Sequence, residues 1–340
     1  MWAKQICKNT GWYPKGLALD KHGNVYTAGN FEGTADFNPG NGIYNLSASG
    51  VEMFVSKVDS SGGFVYAELI GKDGLATPFD IATDSLGNLY MAGEFKWAPD
   101  FDPGSASFTM TPNGGKDMFL LKIDSTGNFL WGKQIGDIYD DRMQSINVSG
   151  SHLYATGYYA GAPDFDPGPS VVTHTSYSAS AFVNEFDLNG NYVWSVGFSS
   201  YQMFGTSISS DNYGSLYSCG YFQNTTDFDP SASTYTLTAP SGGDTYVCKL
   251  GVTVTGLLHH TINSNISLYP NPAQNEIIIK GTSPEEKIEV AIRTLQGQVL
   301  ITGLLMGNEH AINIKDLPEG CYIVSIQSKS FITNFKLIKQ

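Results

Sequence analysis

Pairs of acidic or amide side chains two positions apart occur four times in this 340-residue chain. Each pair belongs to a copy of Asp-Phe-Asp-Pro, with an asparagine as the second member of the first copy. Carboxylate and amide oxygens in loops are the ligands that calcium prefers. The pattern therefore predicts a cation site or a carboxylate-centred turn. The pairs are Asp36 and Asn38, Asp100 and Asp102, Asp164 and Asp166, and Asp227 and Asp229.

Proline favours an extended conformation in the residue before it, so Asp100 and Asp102 should project to the same side, roughly 6 to 7 Å apart. Two charges at that distance repel by about 2 to 3 kcal/mol at an effective dielectric near 20. The pair therefore needs either backbone N–H donors or a cation. Because the spacing is not that of an EF-hand loop, we expect a hydrogen-bonded turn. Structural calcium at the eight positions is the alternative, and no other cofactor is expected.

Motifs for nucleophilic, zinc or phosphate chemistry are missing from the sequence. Acid pairs repeated in every copy favour a structural role, because a catalytic pair is normally needed once. We therefore predict that the protein is not an enzyme. The rival is a secreted polysaccharide lyase or hydrolase acting through Asp100 or Asp164. The motif phenylalanines either pack between repeats or form a ring of stacking platforms for sugars. They are Phe37, Phe101, Phe165 and Phe228.

The net charge of −13 and the isoelectric point near 4.7 disfavour nucleic acid and anionic membranes as partners. No apolar run approaches 18 residues, so no membrane span is expected. The four cysteines are too few for a disulfide framework. We expect small buried thiols, with a Cys219 to Cys248 bridge as the alternative.

The acidic motif recurs at offsets of 64, 64 and 63 residues, so the chain carries a fourfold internal repeat. Each copy has strand-like runs in a fixed order, as the second copy illustrates. Its runs are Phe79–Asp84, Asn88–Glu94, Phe119–Asp124 and Asn128–Ile135. Gly and Asp between the last two runs indicate a hairpin turn. Four antiparallel strands without helical spacing are typical of a β-propeller blade.

The fourth copy has no counterpart of the last run, but the chain begins with one. Met1–Cys7 (MWAKQIC) matches Leu130–Gly136 (LWGKQIG) at four positions. We therefore predict an all-β fold, a β-propeller of four 64-residue four-stranded blades in which the N-terminal strand closes the last blade. The alternative is a part of a larger ring.

The period ends near Ile266, and the composition changes with it. Residues 267–340 hold seven basic and seven acidic side chains, so the net negative charge belongs to the repeats. We predict three parts, namely a propeller domain at 1–251, a linker at 252–265 and a small immunoglobulin-like β-sandwich at 266–340.

Four motifs in this last part follow a known order: Leu268–Ala273 (LYPNPA), Leu295–Val299 (LQGQV), Leu317–Val324 (LPEGCYIV) and Lys336–Lys339 (KLIK). The segment resembles the C-terminal sorting domain of the type IX secretion system. The resemblance implies export with a cleavable signal, expected ahead of Trp2, then recognition by the outer-membrane translocon and clipping by a tail-processing protease. We expect Lys336 and Lys339 to be exposed contacts. The matching positions are Pro270, Asn271, Pro272, Gly297, Gly320, Tyr322, Lys336 and Lys339.

The repeats, with NLYMAGEF, DFDPG and DMFLLKIDSTGNFLWGKQIG in the second copy, resemble the bacterial β-propeller repeat known as SBBP. That family is defined by its repeat and implies no activity. Taken together, the sequence predicts a binding or adhesion scaffold that is secreted or attached to the outer surface of a Gram-negative bacterium. Its ligand would be a glycan or a protein. The alternative to a binding role is a purely structural surface component.

Overall fold

The computed structural model describes residues 1–8, 12–198, 200–211, 215–230, 233–250, 266–280, 287–294, 299–327 and 332–340. These residues form twenty-two strands and no helix. No helix of the described part is therefore long and apolar enough to cross a membrane. The chain divides into two compact units, Met1–Gly251 and Val252–Gln340. The predicted linker at 252–265 lies outside the described residues.

The first unit consists of four consecutive antiparallel sheets, which we call modules 1 to 4. Their strands follow one another in sequence order, as the alternating patterns predict. Module 1 contains β1 (Trp12–Leu19), β2 (Val25–Asp36), β3 (Asn45–Val58) and β4 (Phe64–Ile70). Module 2 contains β5 (Leu75–Thr83), β6 (Leu89–Lys96), β7 (Asp117–Ile123) and β8 (Phe129–Ile135). Module 3 contains β9 (Arg142–Ser149), β10 (His152–Gly161), β11 (Ser176–Asp187) and β12 (Tyr192–Gly197). Module 4 contains β13 (Met203–Ser210), β14 (Leu216–Asp227) and β15 (Thr236–Leu250).

The apolar cores include contacts between neighbouring modules. Val55 on the third strand of module 1 shares a buried cluster with Ile81 on the first strand of module 2. Two further clusters join module 2 to module 3 and module 3 to module 4 in the same way. Burying one such side chain stabilises by roughly 1.5 to 3 kcal/mol. A single module cannot cover this apolar surface by itself, which is why the modules stack.

The first strands of successive modules also hydrogen-bond to each other. The Thr83 hydroxyl donates to the Leu19 carbonyl at 2.7 Å. The Asp80 carboxylate accepts from the Ser145 hydroxyl at 2.7 Å and from the Ile146 N–H at 3.0 Å. These bonds place β1, β5 and β9 side by side.

The predicted pairing of Met1–Cys7 with the last module is wrong. Within the described residues, module 4 has three strands, and Met1–Ile6 forms no strand. The Trp2 indole instead donates to the Ser60 carbonyl of module 1 at 3.0 Å. The segment therefore contacts the module 1 hairpin turn in the way that β8 of module 2 contacts the hairpin turn of module 3. Unlike β8, it pairs with no neighbouring strand. No strand pairing joins module 4 to module 1 in the described part of the chain.

The second unit contains two sheets that share one buried core. The smaller sheet has the order β16-β17-β20 and the larger the order β19-β18-β21-β22. Their cores come from alternate residues such as Ile277, Ile279, Val290 and Val324. The strands are β16 (Ser267–Tyr269), β17 (Glu276–Lys280), β18 (Lys287–Thr294), β19 (Val299–Met306), β20 (Glu309–Asn313), β21 (Gly320–Gln327) and β22 (Ile332–Lys339).

Candidate functional site

The first acid of each Asp-Phe-Asp-Pro motif is a hydrogen-bond acceptor for its own loop. In module 2, one carboxylate oxygen of Asp100 accepts the Asp102 N–H at 3.1 Å and the Phe108 N–H at 2.8 Å. The Asp102 carboxylate accepts the Gly104 N–H at 2.7 Å. The same bonds recur at Asp36, Asp164 and Asp227. The acids therefore satisfy backbone donors that the loop would otherwise leave unpaired.

Lysine ammonium groups lie over the same loops in modules 1 and 2. The Lys8 Nζ contacts the Asp36 carboxylate at 3.1 Å and donates to the Asn38 carbonyl at 2.6 Å. The Lys72 Nζ donates to the carbonyls of Asp102 and Pro103 at 3.2 and 3.1 Å. Backbone carbonyl oxygens are among the ligands that calcium accepts. In modules 1 and 2, an ammonium group therefore lies against loop oxygens of the kind that a metal cation would use.

Calcium at the eight motif positions remains a prediction from the sequence. Among the described residues, no group of three His, Cys, Asp or Glu side chains is arranged to hold a metal ion. We expect that a chelator leaves the melting temperature of the repeat unit unchanged, because backbone N–H groups bind the first acid in all four loops and lysines contact two of the loops. A fall of several degrees, restored by added calcium, would contradict this expectation.

The motif phenylalanines are core residues, as the packing interpretation predicts, and the alternative of sugar-stacking platforms at these positions is wrong. Phe101 is fully buried, with its ring centroid 5.6 Å from Phe95 and 5.3 Å from Phe119. Phe37, Phe165 and Phe228 pack in equivalent aromatic clusters. The side chain points inward because its acidic neighbours bind the loop backbone on the other side.

A continuous strip of partly exposed aromatic and basic side chains runs across the four modules. We call it the aromatic strip, and it consists of Lys15, Phe79, Arg142, Tyr158, Phe204 and Tyr221. The Arg142 guanidinium lies 4.4 Å from the ring centroid of Phe79 and 5.4 Å from that of Tyr158. Tyr158 in turn lies edge-on to Phe204 at 5.0 Å.

A carboxylate fixes the centre of the aromatic strip. The Arg142 Nε donates to Glu94 at 2.7 Å, and the Lys116 Nζ donates to the other oxygen of Glu94 at 2.8 Å. Glu94 is largely buried, so this pairing is only partly screened by solvent. The guanidinium is therefore held in one orientation, with a ring on either side.

No alternating pattern in the sequence marks the aromatic strip, because Lys15 and Phe79 lie at β-bulges. Each module has a bulge near the start of its first strand, at Lys15, Phe79, Gln144 and Thr206. The extra residue changes which side chains face outward, and the simple alternation of a strand fails there.

Asp141 is a fully buried acid in the loop between β8 and β9. Its carboxylate accepts the Asp137 and Ala160 N–H groups, each at 3.0 Å. Burial raises the pKa of Asp141 to about 7, although the two hydrogen bonds lower it. The negative charges of Asp137 and Asp117 raise this pKa further.

The raised pKa of Asp141 predicts a stability loss with rising pH. Because the folded state binds the Asp141 proton more tightly between about pH 4 and 7, its contribution to the free energy of unfolding falls across that window. Asp141→Asn should remove about 2 to 4 kcal/mol of this decline, measured by urea unfolding at both ends of the window. The exposed Asp73→Asn is the control and should keep the native pH dependence. An unchanged decline in Asp141→Asn would contradict the assignment.

The proline-flanked Asn271 of the second unit clamps the last strand. Its side-chain amide donates to the Lys336 carbonyl, and its oxygen accepts the Ile338 N–H at 2.9 Å. The Ala273 N–H then donates to the Ile338 carbonyl at 2.8 Å. The exposed motif Pro270-Asn271-Pro272 therefore joins the two ends of the unit.

The other predicted sorting residues have different roles. Lys336 is exposed, as predicted, but Lys339 is buried, because the side chains of β22 alternate between the two faces of the sheet. The buried Tyr322 donates its hydroxyl to the Pro318 carbonyl at 2.7 Å. Gly320 begins β21, and Gly297 lies outside the described residues. Cys7, Cys219, Cys248 and Cys321 are free thiols.

Comparison with known proteins bears on the second unit most directly. Residues 267–340 match the family model of the Secretion system C-terminal sorting domain. Over 265 residues the chain is 23% identical to an uncharacterised WD repeat-containing protein of Acanthamoeba polyphaga mimivirus, which covers 66% of this chain. The chain spans only 19% of the length of that relative.

Two solved structures are also similar. One is the extracellular domain of a one-component system protein from B. thetaiotaomicron, with a TM-score of 0.26 and 10% identity over 96% of this chain and 50% of that one. The other is dimeric latent PorU from Porphyromonas gingivalis, with a TM-score of 0.18 and 9% identity over 96% and 32%. Scores this low establish no common fold. The motifs of the second unit and the family match agree, and residues 267–340 are a type IX secretion system C-terminal sorting domain, which marks a secreted or cell-surface protein.

Proposed function

We propose that the repeat unit is a binding or adhesion scaffold outside the cell, built from propeller-type blades, and that the aromatic strip is its contact surface. The observation that carries this proposal is the oriented guanidinium of Arg142 between two aromatic rings. A rigid arginine flanked by aromatic side chains is typical of the residues that dominate binding energy.

The chemistry of the strip suits a ligand with oxygen atoms beside an apolar face. The Arg142 guanidinium donates to Glu94 through Nε. The described residues supply no hydrogen bond to the two terminal nitrogens of Arg142. Those nitrogens can donate in parallel to a carboxylate or to paired hydroxyls. Phe79, Tyr158 and Phe204 offer ring surface next to them. A glycan or a protein segment has both features.

A binding screen of the full chain against glycans and extracellular proteins tests the proposal. We expect Arg142→Lys, which keeps the charge but loses the planar fork, to weaken binding at least about tenfold, and Phe204→Ala to do the same. The control is Tyr177→Ala, a fully exposed tyrosine outside the strip. Equal binding by all variants, or a screen without any ligand, would contradict the proposal.

The rival functions predict other outcomes. A polysaccharide lyase or hydrolase would show turnover that is lost in Asp100→Asn. The hydrogen bonds of Asp100 to its own loop favour the scaffold instead, because they commit the carboxylate to the backbone. A purely structural surface component would bind no ligand at the strip.

The partners of the sorting domain belong to the same proposal. We expect the translocon to contact the exposed surface that includes Lys336, and a tail-processing protease to remove the domain after export. The extracellular form should then have a mass that lacks residues 267–340. An extracellular form of full mass would contradict the processing step.

A further inference from the structure

Each of the first three modules presents a back face that the next module covers. This face comes from the second and third strands and includes Tyr26, Ala28 and Val55 in module 1. A lysine of the third strand extends it, since Lys57 donates to the Ser125 carbonyl in the next module at 2.9 Å. Lys122 repeats this bond with the Leu188 carbonyl at 3.0 Å.

Module 4 carries the same back face uncovered. Strand pairing places Val247 where the other modules have Val55, Leu120 and Val183. Val247 is 78% exposed, whereas its three counterparts are at most 1% exposed. Lys249, the counterpart of Lys57 and Lys122, is exposed as well.

Module 1 carries the matching front face, also uncovered. Leu17 on β1 occupies the register position of Ile81, Ile146 and Ile208 on the first strands of the other modules. Leu17 is 66% exposed, whereas those isoleucines are at most 5% exposed. Modules 1 and 4 therefore each expose an apolar face of the kind that packs against its counterpart at all three internal interfaces.

The N-terminal segment lies in the place of a fourth strand belonging to a preceding module. Trp2 covers Gly62 of the module 1 hairpin turn, as Trp131 covers Gly190 in module 3. Lys8 pairs with Asp36 as Lys72 pairs with Asp100, each through an isolated bridge. Met1–Ile6 has no strand partner, and β15 has none on its outer edge among the described residues.

The pairing of β7 with β8 supplies the register that these two unpartnered segments would adopt. In module 2, Leu120 pairs with Lys133 and Lys122 with Trp131. The equivalent pairs are Val247 with Lys4 and Lys249 with Trp2. Lys249 would then reach the Ser60 carbonyl, which corresponds to Ser125 and Leu188 in the sequence repeat.

We propose that the back face of module 4 binds the front face and N-terminal segment of a second copy of this chain, head to tail. The two faces do not meet within one copy. They match each other because their residues occupy the positions that pack together where one module meets the next. Such a contact is heterologous, so it closes into a ring of copies or extends into a filament.

Sedimentation velocity of the full chain with paired variants tests the proposal. We expect the native chain to form dimers or larger species with rising concentration. Val247→Asp and Leu17→Asp should each weaken self-association at least about 100-fold, because a charge then enters the apolar contact. The control is Val65→Asp, because Val65 and its counterparts Leu130 and Val193 are all exposed and lie outside the contact. This variant should associate like the native chain.

Mixing the two variants gives the most specific result. Val247→Asp keeps an intact front face and Leu17→Asp keeps an intact back face, so an equimolar mixture should form a dimer that neither variant forms alone. Growth should stop at the dimer. A native chain that stays monomeric at every concentration, or a mixture that stays monomeric, would overturn the proposal.

Discussion

Replacing Gly157 with alanine is expected to destabilise the repeat unit by about 3 kcal/mol. Gly157 lies opposite the bulge of module 3, and an added Cβ would lie well inside contact distance of the Arg142 carbonyl oxygen. Because the obstacle is backbone, it cannot rotate away as a side chain would, and β9 must shift. Equilibrium unfolding in urea measures the loss. All five tryptophans lie in the first 250 residues, so their fluorescence reports on this unit alone.

Gly50→Ala provides the matched control for the Gly157 variant. Gly50 also lies within a strand, but a Cβ there would have no neighbour within 4 Å. We expect a change within about 0.5 kcal/mol, with a small gain from reduced freedom of the unfolded chain. A Gly157 variant as stable as the Gly50 variant would show that the close approach at the bulge is not required.

Replacing Leu337 with aspartate is expected to abolish delivery to the cell surface. Leu337 on β22 is fully buried in the core of the sorting domain. An unpaired carboxylate there costs about 4 kcal/mol or more, enough to unfold a small domain. In a host with type IX secretion, we expect at least a tenfold fall in the extracellular amount, with the protein retained in the periplasm.

The neighbouring Ile338→Asp separates fold from charge in this experiment. Ile338 lies on the same strand but points to the other face and is 38% exposed. It introduces the same charge with a cost of about 1 kcal/mol or less, so delivery should stay close to native. Equal loss in both variants would mean that the charge itself, rather than the folded core, prevents recognition.

The strands of the repeat unit were predictable because their side chains alternate and their turns carry Asp and Gly at fixed places. The lack of a strand partner for Met1–Cys7 was not predictable. The similarity of this segment to β8 predicted a strand, which Met1–Ile6 does not form, although Trp2 occupies the corresponding contact on module 1. Which edge that strand would pair with depends on the rotation from one module to the next, which a repeat length does not determine.

The candidate site was harder to predict than the fold. The repeated acidic motif predicted a cation site or a turn, and its carboxylates bind the backbone of their own loops. The aromatic strip depends on bulges that place Phe79 and Arg142 beside each other from two different modules, so no local pattern reveals it. The burial of Lys339 was predictable from the sequence. Side chains of a strand alternate between its two faces, so Lys339, three positions after the exposed Lys336, lies on the opposite face.

The most direct test of the central claim is transport of an unrelated reporter. Residues 266–340, attached behind a signal peptide and a soluble reporter protein, should carry the reporter outside a type IX-secreting bacterium. The same fusion with Leu337→Asp should stay in the periplasm. An intact fusion that folds yet remains in the periplasm would contradict the account of this unit as an autonomous export signal.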